Sequence, residues 1–216
     1  MLLSTMIEQL FVGMITSIEI FLLTLLFSLP LGLAVAAGRM SKFKPLSWLM
    51  KGYISIMRGT PLMLQLIVVF FAPYYIFGIH LSPEYRMIAV IIAFSINYSA
   101  YFAEIYRGGI ESIPKGQYEA AKVLGYNKIE TFFIIILPQV VKIVLPSITN
   151  EVITLVKDTS LSFVLAIPEM FTIAKQIAAA DASIIALLVA GVFYYVFNVV
   201  VAFVMEHLEK RLSYYD

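Results

Sequence analysis

Long apolar runs with almost no charge constrain this chain more than anything else in it. Between Ile7 and Ala37 the only ionisable residues are Glu8 and Glu19. Comparable stretches cover about 51–77, 85–106, 139–167 and 183–205. A bilayer core needs ~20 apolar helical residues to cross it, and each run supplies that. The composition agrees: 61% of the chain is hydrophobic and only 13% is charged, where a soluble domain is about half apolar and a quarter charged. The expected fold is therefore all-α. It is a polytopic membrane protein with five transmembrane helices in a single domain over residues 1–216, and a cytoplasmic loop over 107–138.

Several function classes drop out. A net charge of +1 gives no footing for a nucleic-acid partner. There is no cysteine, so disulfides and thiolate metal sites are excluded, and His80 and His207 stand far apart in sequence. No phosphate-loop motif is present, so any ATP hydrolysis is expected on another chain. The N-terminus shows neither a basic region nor a cleavage site, which reads as a retained span.

Polar residues inside the runs mark candidate sites, because burying them in lipid is costly. Glu19 reads as a hydrogen-bonding group toward a neighbouring helix. In Arg58-Gly59-Thr60-Pro61, Thr60 can cap and Pro61 suits the first helical position. A helix starting inside the membrane offers free N–H groups to a carboxylate. Arg58 reads as snorkelling to the cytoplasmic surface. Asn97, Tyr101 and Glu104 follow at i, i+4, i+7 and so share one helix face. Ser147, Asn150, Glu151, Thr154, Asp158 and Ser162 form a polar stripe along the fourth run. Lys157 and Asp158 diverge by about 100° on a helix and need separate partners. Those partners are either charges on other spans, such as Glu19, Glu104 or Arg58, or a zwitterionic ligand.

One polar stretch interrupts the second half of the chain. Tyr118, Ala121 and Leu124 fall on one face of a short helix, Glu119 and Lys122 lie beside it, and Ala120 and Ala121 leave room for close approach. Gly125 suits the left-handed position that ends a helix, and Asn127 with Glu130 reads as the cap of the next one. From Glu119-Ala120-Ala121 through Gly125 to Leu137-Pro138, the spacing resembles the cytoplasmic signature loop of the membrane subunits of bacterial ABC importers. Arg58 to Leu62, Tyr101 to Ile110, Ile113 to Gln117 and Lys157 to Leu161 resemble, in order, the branch that takes up polar and basic amino acids. The similarity runs from about Ile7 to Leu208.

That resemblance implies a type I ABC importer permease. Tyr118, Glu119, Ala120, Ala121, Leu124 and Gly125 would form the coupling helix that docks on an ATPase. The partners would be two ATPase subunits carrying ATP and magnesium, a second and identical permease chain, and an external substrate-binding protein. The chain itself would be no enzyme and hold no cofactor. Within it, Thr60, Asn97, Tyr101, Glu104, Lys157 and Asp158 would line a substrate pocket. Lys157 and the helix start at Thr60 would hold an amino-acid carboxylate and Asp158 its ammonium. Glu104, left unpaired, would face a cationic side chain, so arginine, lysine or histidine is expected; glutamine or another polar amino acid is the alternative.

Orientation follows independently from the basic residues. With the N-terminus outside and the C-terminus cytoplasmic, the inner side holds Arg39, Lys42, Lys44, Lys51, Arg107, Lys115, Lys122, Lys128, Lys142, Lys210 and Arg211, and the outer side only Arg86 and Lys175. This puts the coupling stretch in the bacterial cytoplasm. A secondary transporter or channel would need no such helix. An intramembrane enzyme would need a nucleophile and base set that the sequence lacks. A scaffold would not need buried charge.

Overall fold

The computed structural model describes residues 2–212. Everything described is helix or connecting turn, as the apolar runs require of chains in lipid. Four stretches are long and apolar enough to cross a membrane: α1 (Leu3–Arg39), α4 (Tyr85–Glu111), the rod from Lys128 to Leu165, and α9 (Ile185–Leu212). A bent pair, α2 (Lys44–Gly59) and α3 (Leu62–Phe77), supplies a fifth crossing if counted as one span. The protein is thus an integral membrane protein. Its helices run past the expected ends: α2 begins at Lys44 rather than 51, and α4 continues to Glu111.

α4 is the centre. Ala89, Ala93, Phe94, Phe102 and Ala103 are all buried along it, with α1 packed on one side and α7 (Leu137–Asp158) on another. The approach of α1 is close. A Cβ on Gly32 would stand 2.8 Å from the Phe102 Cβ and 3.2 Å from the Ser99 carbonyl oxygen, so no larger residue fits there.

The expected helix start near Thr60 exists in altered form. α2 and α3 meet at 113°. The N-cap of α3 is Pro61, and the Thr60 hydroxyl donates back to the Ile56 carbonyl (2.8 Å) instead of capping α3. A break in the membrane leaves carbonyls without partners. Here the Gln65 amide donates to Met57 O (2.9 Å) and Thr60 O (3.2 Å). Asn97 of α4 donates to the same Met57 O and to Gln65 Oε1, both at 3.0 Å. Two side-chain amides therefore hold the bend against the central helix.

The fourth crossing is also less regular than the apolar run suggests. α6 (Lys128–Glu130) passes into a π-helical segment, Thr131–Ile136, and then into α7. Pro138, in the first turn of α7, lacks the N–H that would bond back into the π-helical segment. Beyond Asp158 the chain tightens into a 3₁₀ segment, Thr159–Leu165, and stops at Ala166 with φ +54°. A shorter helix, α8 (Met170–Ala180), follows, with one face exposed and Met170, Ala174 and Ile177 packed on α1 and α9.

Candidate functional site

The knuckle between α4 and the rod that begins at Lys128 is built locally. α5 (Lys115–Val123) ends as anticipated: Gly125 sits at φ +86° and the Tyr126 N–H folds back to Ala121 O at 3.1 Å. Asn127 Oδ1 accepts from the Ile129 and Glu130 N–H groups, while Glu130 accepts from Asn127 N–H, a complete capping box. The outward face differs from the one expected. Ala121 is buried against the chain's own π-helical segment, so it offers nothing to a partner. The exposed apolar groups are Val123 (87%), Leu124 (73%) and Ile129 (71%), with Tyr118 and Tyr126 at the edge. Tyr118, Glu119, Ala120 and Gly125 remain on the surface.

The pocket residues divide. Tyr101 and Glu104 do meet on one face of α4, and Arg58 joins them. The Arg58 guanidinium lies 5.2 Å from the Tyr101 ring centroid and 4.0 Å from Glu104 Oε2, so it reaches across to α4 rather than snorkelling away. Glu104 is not the unpaired carboxylate expected. Arg107 grips it with two bonds, Nε to Oε1 at 3.1 Å and Nη2 to Oε2 at 2.7 Å, and also reaches Glu111. The arginine one turn further along the helix, at i+3, was the missed signal.

Asn97 is buried and spent on the bend. Thr60 is exposed at the bend with its hydroxyl engaged by Ile56 and Gln65. Asp158 is half-buried and accepts a 2.7 Å hydrogen bond from the Tyr98 hydroxyl. Tyr98 could not be found by face matching, since it lies about 100° round the helix from Asn97. Lys157, beside Asp158, is exposed. Glu151 precedes Asp158 by seven residues and shares its face. It is half-buried, makes no hydrogen bond or ion pair among the described residues, and feels Arg58 and Asp158 only through space. It is the unpartnered carboxylate of this region.

Glu169 and Tyr194 belong to a second buried polar group, between α1, α8 and α9. Burial pushes the Glu169 carboxyl above the usual range. The Phe171 and Thr172 N–H groups and the Thr172 and Tyr194 hydroxyls, which favour its ionised form, oppose that rise. No grouping of histidine, aspartate and glutamate among the described residues could hold a metal ion.

Comparison with known proteins gives a consistent result. The family model of the binding-protein-dependent transport system inner membrane component matches residues 28–214. The chain is 36% identical over 205 residues to the L-cystine transport system permease protein TcyB of Bacillus subtilis, covering 94% of this chain and 86% of that one. It is 34% identical over 205 residues to the arginine transport system permease protein ArtQ of the same organism, covering 94% and 92%. Among solved structures it superposes with a TM-score of 0.87 and 27% identity on a chain of an amino acid ABC transporter crystallised with histidines, covering 98% and 99%.

Proposed function

This chain belongs to the binding-protein-dependent transport system inner membrane components, and on that premise we propose that it is the permease subunit of an ATP-driven importer of polar amino acids. One observation carries the reading. A single helical rod, Lys128–Asp158, has the exposed apolar knuckle at one end and the Lys157–Asp158 pair at the other. A motion imposed on the knuckle is delivered to the charged end. ATP and magnesium would sit on two partner ATPase subunits, and an external binding protein would deliver the substrate. The relatives named for cystine and arginine support an amino acid as cargo. The asymmetry of basic residues supports an outer N-terminus and a cytoplasmic C-terminus in the bacterial inner membrane.

The finer reading is a basic amino acid, and its basis shifts from Glu104 to Glu151. Lys157 and the N-terminus of α3 would take the substrate carboxylate, and Asp158 its ammonium. Tyr101 and Arg58 would form the wall, with Glu104 pinning Arg58 in place. Glu151 would then face a cationic side chain. Losing one partner of a desolvated charge pair costs roughly 2–5 kcal/mol. Glu151→Gln should therefore weaken arginine uptake by about 30-fold and leave a neutral amino acid nearly unchanged.

The test is uptake into vesicles containing this chain with its ATPase and binding protein, with arginine, lysine, histidine, cystine and glutamine offered in turn. ATP-dependent uptake that vanishes in Asp158→Asn is expected. Uptake without the ATPase would identify a secondary transporter. Glutamine carried as well as arginine, with both indifferent to Glu151→Gln, would remove the basic-substrate reading.

A further inference from the structure

A buried polar cluster gathers around Glu169, between α1, α8 and α9. Glu169, fully buried, has both carboxylate oxygens occupied. Oε1 accepts from the Thr172 N–H (2.6 Å) and hydroxyl (2.8 Å). Oε2 accepts from the Phe171 N–H (2.7 Å), the Tyr194 hydroxyl (2.9 Å) and the Ser17 hydroxyl (3.4 Å). Through this one oxygen Ser17 ties Glu169 to α1 and Tyr194 ties it to α9. Thr159 is fully buried and is the residue next to Asp158.

The segment after Asp158 needs such an attachment. The hydrogen bonds of its side chains and of its end are local: Thr159 to Val156 O, Ser162 to Thr159 O, and Ala166 N–H to Phe163 O. They keep the turn in shape but do not fix its place. The left-handed Ala166 then interrupts the helix, so α8 cannot carry on the direction of α7 as a rigid extension. Polar fixation comes from two carboxylates. Asp158 is tied to Tyr98 at one end, and Glu169 is tied to α1 and α9 at the other.

We infer that Glu169 is a positioning residue for the substrate site: held to α1 by Ser17 and to α9 by Tyr194, it fixes the far end of the segment that follows Asp158 and so sets where Lys157 and Asp158 stand without itself meeting the substrate. The inference rests on the reading that those two residues hold the substrate. A merely structural role would lower stability and leave substrate affinity alone. Thr172 provides the contrast, because it bonds Glu169 on the oxygen that Tyr194 does not use.

Glu169→Gln, Tyr194→Phe, Thr172→Val and Asp158→Asn are compared in the assembled complex in vesicles, with L-arginine and L-cystine as probes. The chain has no cysteine, so Ser160→Cys placed in each background reports the 3₁₀ segment through its labelling rate with a small thiosulfonate. Glu169→Gln and Tyr194→Phe should raise KM about tenfold, the effect of one lost charged hydrogen bond, and speed labelling about fivefold. Thr172→Val should leave both within twofold. If Glu169→Gln fails to assemble, Tyr194→Phe decides, since it keeps the ring and removes only the hydroxyl. Unchanged KM and labelling in Tyr194→Phe would overturn the inference. Asp158→Asn with wild-type KM would instead remove the site reading, and faster labelling in Tyr194→Phe would still establish the link to the 3₁₀ segment.

Discussion

Single residues in this chain are decided by their partners more than by their type. Glu104 and Glu151 are both carboxylates at membrane depth, yet two arginines approach the first and none pairs with the second. Glu104→Gln should thus act on Arg58 and Arg107, lowering thermal stability by about 1 kcal/mol, as for other partly exposed ion pairs. It should change arginine KM less than Glu151→Gln does, and side-by-side uptake curves check the order. Glu169 carries a pH signature. Its folded-state pKa lies above the ordinary carboxylate value, so its contribution is full below that ordinary value and declines as pH rises through the raised one. The melting temperature of the wild type relative to Glu169→Gln should fall as pH is raised from about 4.5. A constant difference across that range would refute the linkage.

At the level of elements, the short helix α5 was legible almost completely, because its determinants are local. Gly125 and the Asn127–Glu130 box act within four residues of where they stand. The break near Thr60 was legible from Pro61 for the same reason. What could not be read was which face of α5 turns inward, since a nine-residue helix bears apolar groups on more than one side. The destination of Asn97 was equally hidden: its partners Met57 and Gln65 are 40 and 32 residues away. These corrections change the coupling experiment. Leu124→Asp and Ile129→Asp should abolish substrate-stimulated ATP hydrolysis while the protein inserts at wild-type level. Ala121→Asp should instead reduce the yield of folded protein, because it places a charge in a filled space. Full coupling in Leu124→Asp would show that the ATPase docks elsewhere.

For the whole molecule, the apolar surface that remains exposed on α1, α3 and α9 is what a chain bathed in lipid and packed on a neighbour would carry. One chain provides one knuckle and one charged rod end. A two-fold assembly would double both. Native mass spectrometry from detergent should show two copies of this chain with two ATPase subunits; an obligatory second permease species would refute the homodimer. The number of crossings was legible because hydrophobic length is summed over whole segments and tolerates local error. The pairing of Asp158 with Tyr98 was not, since it depends on how two separate helices are rotated against each other.

The 113° bend bears on how the protein is made. α3 has 16 residues, about 24 Å of helix, which is short of the ~30 Å hydrocarbon core. A translocon that tests segments one at a time as they leave the ribosome would find α3 a poor candidate on its own. Its bend is stabilised by Asn97, which is synthesised later. Membrane entry of residues 44–77 must then wait for α4, and a nascent chain arrested before Asn97 emerges should leave that region open to protease, while one arrested after α4 should protect it.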